Sequence, residues 1–311
     1  MSLVLTAPSK TFFLGEYLAL SGGPSILIST APRFRLKVTS AAGGIPTKSE
    51  SAPHESISPL SPAGRYLARH IDDFKRYQFE FLDPHTGKGG LGASSAQFAL
   101  LAALKNGWKS VDPANFEWQS IIEEYRACAW SGDGAKPSGA DVVSQLSGGL
   151  TWYDGREFKA KHLEWKFPTL SFTLLRTGDK VLTHEHLRTQ QPAPHEALRE
   201  IVGDALRAFE SVEEALLLSA VGRTTRLLAD NELTSHTTLR LLKTLQSEHG
   251  FVRMAKGCGA MGADVLLVLH DRDKEEMLKV WAKAQNLEIC GSLADLSGGL
   301  AVEGSLDGVG I

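Results

Sequence analysis

Apolar and charged positions alternate early in the chain. Phe34, Leu36 and Val38 are apolar, whereas Arg33, Arg35 and Lys37 between them are basic. That period of two predicts a strand with one wet face. The same reading gives a strand-rich stretch from Leu3 to Phe13, broken at Ala7-Pro8-Ser9-Lys10, and a strand from Ser25 to Thr30, with turns at Gly15 and at Gly22-Gly23-Pro24. Ala41 to Pro62 is small, polar and proline-rich and reads as an exposed excursion. A helix over Ala63–Phe74 and a strand over Gln78–Asp83 follow. Ser94 to Lys105 is rich in Ala, Leu and Gln and predicts a helix that stops at Asn106-Gly107.

Further on, Ser120–Trp130 and a shorter segment from Pro137-Ser138-Gly139 to Gly148-Gly149 read as helices, and Leu150–Tyr153 and Ser171–Leu175 as strands. The second half is more helical. Pro194 to Asp230 predicts two helices, Thr237–His249 a third and Lys274–Ala284 an amphipathic fourth. Val265–Leu269 is a short buried strand, and Leu287–Val302 offers a final strand or two. Helices and strands therefore alternate in both halves, with a lobe boundary near residues 155–170 and no internal repeat.

Composition narrows the class. The chain has 311 residues, 42% apolar and 22% charged, with a net charge of −3 and a pI near 6.4. No basic surplus points to nucleic acid as a partner. No apolar run approaches the roughly 20 residues that span a bilayer. The three cysteines, Cys128, Cys258 and Cys290, are far apart, which argues against a disulfide framework and a zinc site and fits a reduced, cytoplasmic setting.

Four segments could carry chemistry. Gly89-Gly90-Leu91-Gly92-Ala93-Ser94-Ser95 precedes a helix. Glycines let backbone approach a polyphosphate, and a helix start offers unpaired N–H groups and a positive dipole end. No Gly-Lys-Ser/Thr closes the run, so it is not a Walker A loop. A tight turn before a buried helix is the plain alternative. The second segment is Ala7-Pro8-Ser9-Lys10 with Gly15-Glu16-Tyr17, in which Lys10 is a charge neutraliser or a surface lysine. In the third, Lys136-Pro137-Ser138-Gly139-Ala140-Asp141, the aspartate is a base facing an acceptor or merely compensates a helix dipole. The fourth, Lys256-Gly257-Cys258-Gly259-Ala260-Met261-Gly262-Ala263-Asp264, runs into the apolar strand with three glycines in six residues. His184 with His186 reads as a surface pair, and Arg65, Arg69 and Lys136 as a solvated face.

Taken in order, these segments resemble the galactokinase–homoserine kinase–mevalonate kinase–phosphomevalonate kinase (GHMP) superfamily. Pro8 to Tyr17, continued by Gly22-Gly23-Pro24, is similar to its Pro-x-x-Lys…Gly-Glu-Tyr/His motif. Gly90–Ser95 is similar to its Gly-Leu-Gly-Ser/Ala-Ser loop, Ser138–Asp141 to Ser-Gly-x-Asp, and Gly259–Ala263 loosely to its last glycine motif. Thr177-Gly178 with Thr183 also resembles a family stretch.

The resemblance implies a two-lobed α+β fold. Residues 1–165 would form a mixed α/β ATP-binding lobe and residues 166–311 a ferredoxin-like α+β lobe. It further implies an ATP- and Mg2+-dependent kinase acting on phosphomevalonate, or on mevalonate as runner-up, with a small-molecule substrate, no nucleic acid, no membrane and, as often in the family, a homodimer. Gly89 to Ser95 would bind the triphosphate, with Ser94 on magnesium. Asp141 and Lys10 would be catalytic. Glu16, Ser138, Gly139, Gly259 and Ala260 would shape the acceptor pocket.

Three departures stand out. Trp130 occupies the position where mevalonate kinases carry a magnesium-binding glutamate, with Asp133 as a substitute nearby. Met261 and Ala263 replace family glycines. A catalytically silent binding protein and a diphosphomevalonate decarboxylase are the alternatives these leave open.

Overall fold

A computed structural model describes residues 2–40, 57–85, 88–178, 193–248, 250–262 and 265–304. Thr183, His184, His186, Ala263 and Asp264 lie outside the described residues, as does most of the 41–62 excursion. The architecture is a two-lobed α+β fold with two antiparallel sheets.

The first sheet has six strands: β1 (Ser2–Leu14), β2 (Pro24–Ser40), β3 (Tyr77–Leu82), β4 (Leu150–Asp154), β5 (Lys159–Leu163) and β10 (Ala301–Gly304). The order is β10-β1-β2-β4-β5, and β3 also pairs with β2. The great length of β2 makes this arrangement workable. Its first part, Pro24–Ile28, pairs with β4, and its last part, Arg35–Ser40, pairs with β3. The alternation read at Arg33–Val38 is realised: Phe34, Leu36 and Val38 are buried, and Arg35 and Lys37 are exposed.

Two sequence expectations needed amendment here. Ala7-Pro8-Ser9-Lys10 does not break β1; a register shift between Pro8 and Ser9 absorbs the irregularity. Likewise, the two strands expected over 25–38 are one.

Helices cover one face of this sheet: α2 (Pro62–Arg69), α3 (Ile71–Phe74), α4 (Ala93–Asn106), α5 (Trp118–Ala129) and α6 (Ala140–Ser147). Short α1 (Glu16–Leu20) follows β1. The α4 helix runs through the core, with Phe98, Leu100 and Leu101 fully buried, so it is apolar nearly all round. Gly107 closes it in the left-handed conformation.

The second sheet is β7-β8-β6-β9, made of β6 (Leu170–Arg176), β7 (Val252–Cys258), β8 (Val265–Asp271) and β9 (Glu288–Ser292). Helices α7 (His195–Ser211), α8 (Glu214–Asp230) and α9 (His236–Glu248) lie between β6 and β7, and α10 (Glu275–Ala284) lies between β8 and β9. With β6 and β8 central, this is the ferredoxin-like order with added helices.

The lobes share a core. Phe13, Ile26 and Ile28 of the first sheet pack in one cluster with Phe172, Leu198, Phe209 and Leu267 of the second lobe. The last described strand also returns to the first lobe. β10 pairs with β1, and Arg33 donates to Ser297 Oγ and to the Gly298 and Gly299 carbonyls, so the closing strand belongs to the first sheet although it lies beyond residue 165.

Candidate active site

The glycine run forms the turn into α4. Gly89, Gly90 and Gly92 have φ of 73°, 83° and 94°, the left-handed region that side chains with a Cβ avoid. Space is short as well: a Cβ on Gly92 would sit 2.8 Å from Gln145 Nε2 and 3.0 Å from Lys10 Cε. Gln145 donates to the Gly92 carbonyl at 2.9 Å and to the Pro8 carbonyl at 3.2 Å, fastening the turn to β1. The Lys10 N–H donates to the Leu91 carbonyl at 3.0 Å. Ser95 is buried and its hydroxyl donates to Gly92 O at 3.0 Å, whereas Ser94 is exposed in the same first turn. Of the two serines, Ser94 is therefore the one free to meet a ligand.

The Lys10 ammonium meets Asp141 Oδ1 at 2.7 Å, with side-chain exposures of 10% and 31%. β1 supplies the lysine and the first turn of α6 the aspartate. Gly139 caps α6 in the left-handed region, and a Cβ there would strike Ile122 at 2.7 Å. The Ser138 hydroxyl accepts from the Ala140 N–H at 3.2 Å, and Arg126 donates to the Pro137 and Ser138 carbonyls. The Ser-Gly-Ala-Asp segment is thus a rigid mount for Asp141. Lys10 and Asp141, 131 positions apart in sequence, meet beside the glycine turn as one constellation.

Glu16, expected at the acceptor, instead has its carboxylate against Lys256 of β7, Oε1 to Nζ 2.7 Å, with side-chain exposures of 8% and 1%. Tyr17 beside it accepts from the Met261 N–H at 3.1 Å, and burial pushes its phenol up to about 12. Gly259, Ala260 and Met261 enter a tight turn, with Met261 at φ 56° and the Gly262 N–H on Gly259 O at 3.0 Å. The Gly-Glu-Tyr segment therefore anchors the second lobe's glycine turn. Lys256, which opens the fourth glycine-rich segment of the sequence, belongs to strand β7. Burial drives the Cys258 thiol beside it above its ordinary value.

Other expectations resolve simply. Arg65 and Arg69 donate to the Cys128 and Ala127 carbonyls at the end of α5. Lys136 lies 5.8 Å from the Trp130 ring centroid. The Trp130 indole donates to Asp133 O at 3.1 Å. Sequence reasoning missed Arg176 and His85, both buried, which hold the glycine turn from below: Arg176 Nη1 donates to Gly89 O at 2.7 Å and Nη2 meets His85 Nδ1 at 3.2 Å. A basic residue ending the otherwise apolar strand Leu170–Arg176 was the one visible signal.

No protein-family model matches the chain, and no curated protein sequence matches it. Solved structures do. The Lin0012 protein from Listeria innocua aligns with a TM-score of 0.74 at 17% identity, over 98% of this chain and 100% of that one. Phosphomevalonate kinase from Streptococcus pneumoniae aligns at 0.72 and 15% identity, over 94% and 99%, and a second structure of that kinase holds phosphomevalonate and AMPPNP. Galactokinase from Lactococcus lactis, complexed with galactose, aligns at 0.66 and 10% identity, over 96% and 95%. The chain has the fold of the GHMP kinase superfamily.

Proposed function

We propose that this protein is an ATP- and Mg2+-dependent kinase of a small-molecule acceptor in the isoprenoid-precursor pathway, with phosphomevalonate first and mevalonate second as acceptor. The single observation that carries the reading is the Lys10–Asp141 pair seated against the Gly92 turn at the start of α4. Phosphoryl transfer needs positioning and charge neutralisation more than covalent chemistry. The glycine turn and the first amides of α4 would cradle the triphosphate. Lys10 would neutralise charge between the acceptor oxygen and the moving phosphoryl group. Asp141, paired with the Lys10 ammonium at 2.7 Å, would orient the acceptor and accept its proton where that acceptor is a hydroxyl. Gly259 and Ala260 would close the acceptor side.

Magnesium fits the oxygen donors at hand. The exposed Ser94 hydroxyl and the Asp141 carboxylate are hard ligands of the kind Mg2+ takes alongside nucleotide phosphates. Among the described residues no group of three or more His, Cys, Asp or Glu side chains could hold an ion on its own, so the phosphates would supply most of the shell.

A coupled ATP-turnover screen with mevalonate, phosphomevalonate, diphosphomevalonate, galactose and homoserine tests the reading. Turnover with phosphomevalonate or mevalonate is expected. Nucleotide binding without turnover on any of them would favour a silent binding protein, the reading that Met261 at the second glycine turn motivates.

A further inference from the structure

The glycine turn is fixed from outside its own lobe. Arg176 ends β6, a central strand of the second sheet, and is itself buried. Its Nη1 donates to the Gly89 carbonyl at 2.7 Å, and its Nε lies 3.7 Å from Glu288 of β9. Glu288 also pairs with Lys88, the residue before Gly89, at 2.7 Å. Two strands of the second lobe thus grip the first residues of the turn.

The hydrogen-bond directions on the other side are forced. A guanidinium only donates, so His85 Nδ1, 3.2 Å from Arg176 Nη2, must be an acceptor. The imidazole is then neutral with its proton on Nε2. That N–H donates to Ser9 Oγ at 2.6 Å, and the Ser9 hydroxyl donates onward to Pro32 O at 2.6 Å. Ser9 directly precedes Lys10. One chain of hydrogen bonds therefore links the glycine turn, through Arg176 and His85, to the strand that carries the cleft lysine.

A trans peptide sets its C=O and N–H in opposite directions. Arg176 holding the Gly89 carbonyl therefore aims the Gly90 N–H away from the second lobe. The Lys10 N–H holding the Leu91 carbonyl likewise turns the Gly92 N–H away from β1.

We propose that Arg176, seated by His85, is a positioning residue that presets the Gly90 amide for an anionic polyphosphate, so that the phosphate cradle of the first lobe is completed by the second. This rests on the reading of the turn as a nucleotide site. It also carries a pH consequence. Burial first, and Arg176 next, hold the His85 imidazole below its ordinary value; Asp83 and Glu288 oppose that, and Lys88 adds to it. Protonation at Nδ1 as pH falls through that lowered value would remove the acceptor and push Arg176 off.

The test compares full-length wild type with Arg176→Met, Arg176→Lys and His85→Asn. Two quantities are read: amide hydrogen exchange over residues 88–92 without nucleotide, and ATP affinity by calorimetry between pH 5 and pH 8. Arg176→Met is expected to speed exchange in the turn selectively and to weaken ATP about tenfold, the scale of a lost charged hydrogen bond. Arg176→Lys, which cannot serve Gly89 and His85 together, should fall between. His85→Asn keeps an acceptor facing Arg176 and does not titrate. It should hold near-wild-type affinity at pH 8 and lose the extra acid-side weakening that wild type shows beyond the nucleotide's own titration. Unchanged exchange at 88–92 in Arg176→Met, or faster exchange spread evenly over both lobes, would overturn the proposal. If Arg176→Met does not fold, Arg176→Lys and His85→Asn decide it by the same two readings. Wild type that binds no ATP would sink the kinase reading alone, since the exchange comparison would still judge Arg176.

Discussion

Two lysine–carboxylate pairs have the same 2.7 Å contact and opposite surroundings. Lys10 and Asp141 lie within the first lobe, with the aspartate 31% exposed at the glycine turn. Lys256 and Glu16 join β7 to α1 across the lobes and are almost wholly buried. Distance therefore does not separate a working pair from an anchoring one; access does. A carboxylate that must meet a substrate keeps a face open, and its pairing energy is small for that reason. A buried pair has exchanged hydration for its partner, and neither member can be spared. Around Lys256 burial opposes the charge, yet Cys258 and Glu16 outweigh it and hold the ammonium above its ordinary pKa. Of the two, Glu16 is the carboxylate, in contact with the ammonium at 2.7 Å.

The largest expected effect follows from that asymmetry. Glu16→Gln leaves the Lys256 cation buried without a counter-charge and should cost about 3–5 kcal/mol in chemical denaturation. The double change Glu16→Met with Lys256→Met removes both charges and should recover most of that loss. A Glu16→Gln protein of near-wild-type stability would dissolve the contrast, because Glu16 would then be as free as Asp141.

The two pairs also differ in how far the sequence announces them. Lys10 and Asp141 each stand beside a local signal: a proline within a run of strand formers, and a glycine-led helix start with an acid in its first turn. The glycine turn was legible for the same reason, since three left-handed glycines before an Ala- and Leu-rich helix are a local statement. Glu16 was legible as a motif residue, but nothing near it in sequence announced its partner. Its lysine lies 240 positions away, in a strand whose glycine at 257 resembles a loop. Gly257 is there because a Cβ would lie 2.3 Å from the Gly262 carbonyl, a packing demand between strand and turn that no period along the chain expresses. β5 and the return of β10 to β1 were missed likewise: short strands take their identity from a neighbour's open edge.

The middle effect tests the ground between the pairs. Gly92→Ala puts a Cβ at φ 94°, 3.0 Å from Lys10 Cε and 2.8 Å from Gln145 Nε2. The left-handed conformation alone costs about 1–2 kcal/mol for such a residue, and the crowding displaces Lys10 as well. A drop of that size in stability, with ATP affinity and turnover falling together, is expected from parallel denaturation, binding and rate measurements. Loss of stability with unimpaired ATP affinity would take the turn out of the nucleotide site.

The smallest stability effect should accompany a large functional one. Asp141→Asn removes a partly exposed partner that water can replace, so stability should shift by less than about 1 kcal/mol. Its turnover should fall at least about tenfold, equivalent to roughly 1.4 kcal/mol of transition-state stabilisation. The loss should be larger with a hydroxyl acceptor such as mevalonate than with an already ionised phosphate acceptor. A hydroxyl must surrender its proton as the phosphoryl group arrives, whereas a phosphate oxygen already carries its negative charge and needs only to be aimed. Rates with the two acceptors, set beside a thermal melt, read this directly. Near-wild-type turnover would take Asp141 out of the chemistry and leave Lys10 to carry it. A stability loss as large as that of Glu16→Gln would make Asp141 a second anchor, and solvent access would no longer tell the two pairs apart.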